Sequence, residues 1–393
     1  MFVLTESEAL RDPERLTRAW HQPETFAFLS EKNEAVSDWV RRSLDLLPPD
    51  LHEHHFALLT SGSTGQPKIL VAPRRRSEAL VGVLHELQES EPVEETVLLL
   101  PLTYSYAFVN QWLWGRHFGR RLVPTRGFAE PDELGKALAA ARNAMVCLVG
   151  IQVPLLTRYF EGRQFPGVIR VHFAGGRFPQ EKLDVVAHLF PAAQVFNNYG
   201  CAEAMPRLTL RRAEEADEAP DIGRPLPGVE LRTDDAGQLV FRSPYGAVGI
   251  VDENGFTRIT EEMWVGTGDL GAQTERGTWK LAGRASEVFK RHGEKVSLYL
   301  LLTAVFRVWH GQAAFYREAD RSGEEGHVLA LAPPPTEDVV RAILQVFRKD
   351  FPRAHWPLRI ESLASLPLLP NGKVNAAAIS TVPDRTVHWQ QRI

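Results

Sequence analysis

The chain has 393 residues, 44% hydrophobic and 24% charged, proportions of a globular protein long enough for at least two domains. Its formal net charge of -4 supplies no field to draw nucleic acid or an anionic membrane, and no apolar run is long enough to span a bilayer. The opening MFVLTESEALRDPERL lacks a signal-peptide pattern and two cysteines make no disulfide framework, so a cytoplasmic protein is expected.

In chain order, the first fifty residues read as helical, with apolar positions at helical spacing in RLTRAWHQPETFAFL and AVSDWVRRSLDLL. LLPPDL breaks that pattern and introduces a strand, FALLT. HEHH at 52–55 lacks the spacing of a zinc helix and reads as a solvated turn. The basic run at 74–76 reads as a solvated helix start. Apolar strands such as TVLLLPL and AMVCLVG then alternate with helical stretches such as PDELGKALAAARN, which predicts an α/β core of buried, largely parallel strands. RRAEEADEAPD reads as a solvated connection. From about Asp221, short strands punctuated by Asp-Gly turns predict an antiparallel β subdomain. After Gly283-Arg284 a smaller α+β unit follows, with a helix around EDVVRAILQVFRKDF.

The strand FALLT runs directly into LTSGSTGQPK, residues 59–68. Small residues after a strand expose a row of backbone N–H groups, a concavity suited to phosphate. Ser61, Ser63 and Thr64 could donate to phosphate oxygens, Gly62 and Gly65 allow close approach, and Lys68 adds a charge. A P-loop does not fit, because the lysine does not follow the second glycine and no hydroxyl follows the lysine.

This segment resembles the phosphate loop of the adenylate-forming superfamily: acyl-CoA synthetases, aryl-acid ligases, peptide-synthetase adenylation domains and luciferases. Five further segments resemble the family's motifs in the family's order, over about residues 56–376. AGGRFPQEKL (174–183) is similar to the segment under adenine. NNYGCAEAMPR (197–207) resembles the Tyr-Gly-x-Thr-Glu motif, with Ala202 in place of the threonine. GTGDLG carries the Thr-Gly-Asp pattern, LAGRASEVFKRHGEKVS resembles the hinge, and LPLLPNGKVN the C-terminal lysine motif.

The resemblance implies ATP and Mg²⁺ as cofactors. ATP would be held by Thr60, Ser61, Gly62, Ser63, Thr64, Gly65, Lys68, Gly175, Gly176, Arg177, Asn198, Tyr199, Gly200, Asp269 and Arg284. Tyr199 would stack on adenine, and Asp269 would accept from the ribose hydroxyls. Glu203 would be the metal ligand, and Lys373, Glu203 and Thr64 the catalytic groups. The fold implied is α/β. A large N-terminal AMP-binding domain, residues 1–283, with α/β sheets and a small antiparallel β subdomain, precedes a small mobile α+β domain, residues 284–393. Ser286 would be the hinge, and Gly293 would border the thiol tunnel after the small domain rotates. Many relatives carry a longer segment before the phosphate loop, so a shortened start is expected, its surface covered by a partner or by a second copy in a homodimer, or its loss simply tolerated by the core.

By the same resemblance the acid would be bound by Tyr104, Phe108, Gly175, Cys201 and Met205. Tyr104–Phe108 offers no carboxylate to pair an ammonium, which favours an aryl or apolar acid over an amino acid. Arg177 and Arg207 could pair with a second anionic group on the substrate, with surface solvation as the simpler reading of each. Cys201 has no adjacent histidine and is not expected to be a nucleophile. The acyl acceptor would be coenzyme A or the phosphopantetheine of an acyl carrier protein. Transfer to an amine, or a weakened nucleotide-binding relative, are the alternatives.

Overall fold

A computed structural model describes residues 1–30, 34–61, 67–215, 221–368 and 374–391. The chain begins not with helix alone but with a strand, Phe2–Thr5, and returns after two short helices to a second, Phe26–Leu29. This corrects the all-helical reading of the opening. Pro13 starts the helix Pro13–His21, and beyond it FAFL is a four-residue apolar run with all four side chains buried between flanking strands. Such a short run carries no readable period.

Phe2–Thr5 pairs in parallel with Phe26–Leu29, which pairs in parallel with His55–Ser61, and that strand forms an antiparallel hairpin with Pro67–Pro73. Gly249–Asp252 and Gly255–Arg258 complete this sheet. The second and larger sheet holds the expected parallel core. Arg121–Val123, Glu95–Val97, Ala144–Leu148, Val168–Phe173 and Gln194–Tyr199 lie side by side in parallel. Both faces are covered, so Ala144–Leu148 is buried at all five positions. The antiparallel strands predicted after Asp221 continue this sheet edge to edge. Thr209–Arg212 and Asp221–Pro225 make the join, and Trp279–Arg284 and Val265–Gln273 follow.

From Phe289 onward the residues build cores of their own. A four-stranded sheet, Gln312–Ala319, Glu325–Ala332, Arg359–Ser362 and Thr386–Gln390, packs against Leu298–Val305 and Glu337–Asp350. The helix Glu337–Asp350 is capped by the Thr336 side chain and carries acids in its first turn and bases in its last. It buries Val340, Ile343, Leu344 and Phe347 at helical spacing. Among the described residues no helix is long and apolar enough to cross a membrane.

Two polar segments are less solvated than expected. Arg74, read as part of a solvated helix start, is buried and donates to the carbonyls of Trp20, Gln22 and Glu24 while lying over the Trp20 and Phe26 rings. Only Arg75 of that run is exposed. The two ends of the acidic connection are buried as well, with Arg211 Nε donating to the Asp221 carbonyl at 2.9 Å.

Candidate active site

The ends of the large sheet's central strands meet at a cavity of about 230 Å³. Gly175 and Gly176 form one wall, Asn197–Gly200 a second, and Asp269 and Arg284 a third. Gly175 has φ +75, a conformation open to glycine at little cost, and its bare backbone faces the cavity. Tyr199 ends its strand here, and its hydroxyl donates to Asp269 Oδ2 at 2.8 Å. Burial and the Asp269 charge push the Tyr199 phenol well up, so it remains a donor. Arg284 Nε lies 3.2 Å from the other oxygen, Asp269 Oδ1, and Arg284 Nη1 is anchored on the Thr267 carbonyl. Asp269 is thus held from two sides.

This cavity opens along Gly175, Gly176, Arg177, Glu287 and Tyr299 into a larger one of about 600 Å³. The larger cavity lies between the segments 149–154 and 175–182 and the unit that follows Phe289, and its walls are mostly apolar, among them Ile151, Pro154, Leu302, Phe306 and Phe315. A clasp closes one end. Arg177 is paired to Glu181 through two bonds of 2.9 and 2.7 Å, donates to Thr303 Oγ1 at 3.2 Å and lies over the Phe306 ring. Beside it Lys182 Nζ donates to the His310 carbonyl at 2.9 Å. Burial lowers the Lys182 pKa to about 8.

The residues expected to contact adenosine therefore fall together: Gly175, Gly176, Arg177, Asn198, Tyr199, Gly200, Asp269 and Arg284 all line the smaller cavity. Sequence reading missed Asn197, Asp221 and Tyr299 in that wall. Asn197 is the first residue of the NNYGCAEAMPR segment, but Tyr299 arrives from beyond residue 284 and had no local signal. Glu203 is half-buried in the turn Ala202–Ala204, which is fixed by the bond from the Ala247 N–H to the Glu203 carbonyl. Of the phosphate loop, Thr60 pairs with Lys68 in the hairpin, and Ser61 ends its strand. Gly62, Ser63, Thr64 and Gly65 lie outside the described residues, as does Lys373. Leu368 and Val374, which flank the lysine segment, pair as an antiparallel bridge, and Val374 lines the larger cavity with Gly175 and Gly176. Ser286 sits in the exposed turn Ala285–Glu287, between the large sheet's last strand and the hairpin Val288–Ser297. Gly293 is at that hairpin's tip and lines neither cavity.

The expected acyl pocket differs from the reading of its residues. Phe108 has no exposed surface. It stacks on Phe56 at 5.2 Å and packs against Trp20, Phe28 and Trp112, so it is a core aromatic rather than a pocket wall. Met205 is likewise fully buried. Tyr104 is half-buried, and the opening helix brings Glu6 to Leu102, two residues earlier, accepting its N–H at 2.5 Å. Cys201 is half-buried, and burial together with the Glu203 charge pushes its thiol well up, away from nucleophilic use. Neither arginine is solvated: Arg177 is clasped, and Arg207 is buried.

The model for the family described as AMP-binding enzyme matches residues 4–251, more than half of the chain, and the chain belongs to that family. It is an AMP-forming ligase of the adenylate-forming superfamily, with that superfamily's mixed α/β fold. A D-alanine–D-alanyl carrier protein ligase of Staphylococcus aureus is 24% identical over 344 residues, covering 83% of this chain and 71% of that protein. An anthranilate CoA ligase solved with anthranoyl-AMP superposes with TM-score 0.73 at 17% identity, over 96% of this chain and 77% of that one. An amide bond synthetase from Marinactinospora thermotolerans superposes with TM-score 0.70 at 18% identity, over 95% and 82%.

Proposed function

We propose that the protein uses ATP and Mg²⁺ to convert an aryl or apolar-bodied carboxylic acid to its acyl adenylate. The acyl group then passes to a thiol, that of coenzyme A or of a carrier protein's phosphopantetheine. The observation that carries this reading is Asp269, fixed by Tyr199 and Arg284 at a glycine-walled cavity that continues into an apolar one of about 600 Å³. The smaller space suits a nucleoside, with Asp269 accepting from its ribose hydroxyls. The larger is of the size and polarity that small organic ligands occupy.

In the first step a carboxylate oxygen attacks the α-phosphorus and pyrophosphate leaves. In the second the thiol sulfur attacks the acyl carbonyl and AMP leaves. The protein's part is to hold two anions in line and to neutralise the charge that builds between them. Lys373 and the phosphate-loop groups Thr60–Gly65 are assigned that task. Glu203 would bind Mg²⁺ through its carboxylate oxygens, together with the phosphates the ion accompanies. When bound, Mg²⁺ supplies charge neutralisation to the leaving pyrophosphate.

The boundary near residue 284 is where we place the pivot. Residues from Phe289 onward have separate cores, and Gly293 lies away from both cavities while Val374 faces the larger one. That arrangement suits the adenylating half-reaction. A second reading, activation of an amino acid, draws on Glu6 beside Leu102 and on the similarity to D-alanine ligases. Incubation with MgATP and a panel of benzoates, alkanoates and D-alanine, with and without coenzyme A, separates the two. Pyrophosphate and AMP should appear with simple acids, and thioester once a thiol is added. Turnover with D-alanine and with no simple acid overturns the first reading, and amide formation without thiol use overturns the acceptor.

A further inference from the structure

One run of chain, the exposed turn Ala285–Glu287, joins the large sheet to the unit beyond residue 284. A single covalent joint leaves orientation open, so contacts elsewhere set it. They lie along the helix Leu298–Val305 and its continuation. At the joint Ser297 Oγ donates to the Ala282 carbonyl at 2.6 Å, and Tyr299 stands against Gly283. From Tyr299 to Phe306 is two helical turns, roughly 10 Å. Over that span the helix meets the turn 177–182. Thr303 Oγ1 accepts from Arg177 Nε at 3.2 Å, and the His310 carbonyl accepts from Lys182 Nζ at 2.9 Å. The Phe306 ring carries both cations, with the Arg177 guanidinium at 4.8 Å and the Lys182 ammonium at 5.4 Å from its centre.

These contacts are enclosed. The Arg177 and Glu181 side chains keep 13% and 16% of their surface, and Lys182 is buried. Glu181 fixes the guanidinium through two bonds before it reaches Thr303, so little freedom is lost when the helix arrives. Water competes poorly for bonds so covered, and a cation over a shielded ring gains more than one at the surface. The same orientation puts Val374 at the larger cavity beside Gly175 and Gly176, while Gly293 lines neither cavity. Turning the unit about residues 285–287 would part Thr303, Phe306 and His310 from the turn and carry Val374 from the cavity in one movement.

We propose that Arg177 and Lys182 are positioning residues: their clasp on Thr303, Phe306 and His310 holds the unit beyond residue 284 in the arrangement that forms the adenylate, and its release sets how readily the thiol step begins. This rests on the two-step reaction proposed above. Each half-reaction draws on one arrangement, so the ratio of their rates follows the ratio of the two populations wherever the balance starts.

The experiment compares wild type with Thr303→Val, Thr303→Ser, Lys182→Met and the double variant Thr303→Val/Lys182→Met. Thr303 lines neither cavity, which keeps its variants clear of substrate contacts. Single-turnover pyrophosphate release without thiol reads the first step, and thioester from preformed acyl adenylate reads the second, both at saturating substrate. The ratio of the second rate to the first should rise about tenfold in each of Thr303→Val and Lys182→Met, and about 10²-fold in the double variant, for the loss of one and two charge-assisted bonds. Thr303→Ser, which keeps the hydroxyl, should stay near wild type. An unchanged or lower ratio, including equal loss in both steps, makes the clasp ordinary packing and overturns the proposal. Amide hydrogen exchange reads the clasp without any turnover: in the double variant it should quicken several-fold across 175–182 and not in the helix Glu337–Asp350. If no acid yields pyrophosphate in wild type, the proposed reaction falls. Quickening confined to that turn then keeps the clasp, and its absence, or equal quickening in both segments, overturns it.

Discussion

In the proposed reaction, Asp269 is the residue on which nucleotide recognition turns. Its two oxygens are oriented by Tyr199 and Arg284, so a ribose would meet a carboxylate already in place. Replacing Asp269 with Asn removes the charge from any hydrogen bonds it accepts, each typically contributing about 1.5–3 kcal/mol. The KM for ATP should rise about 10–10²-fold, read from the ATP dependence of pyrophosphate release. Tyr199→Phe, which loses only the orienting bond, should shift the same KM by about tenfold or less. An unchanged KM in both variants would remove Asp269 from the nucleotide site. Arg74 makes a contrasting case. Arg74→Ala leaves carbonyls of Trp20, Gln22 and Glu24 without their donor, and should destabilise by about 2–3 kcal/mol while leaving the KM for ATP alone. Denaturant unfolding measures the first effect and steady-state kinetics the second.

At the scale of elements, the turn 175–182 does two things at once. Its glycines wall the smaller cavity, and its Arg177 and Lys182 grip the helix Leu298–Val305 and the residues just past it. Lys182 gives that grip a pH signature. Its folded pKa of about 8 lies below the ordinary lysine value of 10.5, because burial disfavours the ammonium. Between those two values the unfolded chain binds the extra proton, so this lysine's contribution to stability rises with pH from about 8 to 10.5. Lys182→Met should flatten the slope of melting temperature against pH in that window, and an identical slope would show that Lys182 is not so placed. Gly283 shapes the other side of the junction. It has φ +118, and a Cβ there would come within 2.7 Å of the Tyr299 Cβ, so only glycine lets the last strand of the large sheet pass this helix. These features explain what sequence reading could reach. The glycines of 174–176, Tyr199 and Asp269 were legible through their resemblance to the family's short, contiguous motifs. The burial of Arg74 was not, since its carbonyl partners lie about fifty residues earlier. Phe2–Thr5 and Phe26–Leu29 were too short to show a strand period. The Arg177–Thr303 contact joins segments 126 residues apart, which no spacing rule connects.

For the whole molecule, the proposed function gives the two half-reactions to two arrangements of one chain about a pivot at Ser286, and in it Lys373 would serve only the first. Lys373→Ala should slow adenylate formation by about 10²–10³, the usual effect of losing one preorganised charge contact. Given preformed acyl adenylate and thiol, the same variant should make thioester at close to the normal rate, and equal loss in both steps would contradict a rotating domain. The most direct measurement of the central claim is exchange of labelled pyrophosphate into ATP, with Mg²⁺ present and thiol absent. An adenylate-forming ligase should show exchange that depends on a carboxylic acid, saturates with it, and falls with Asp269→Asn and Lys373→Ala. Exchange independent of any acid, or absent across aryl, alkyl and dicarboxylic acids at saturating ATP, would contradict the account.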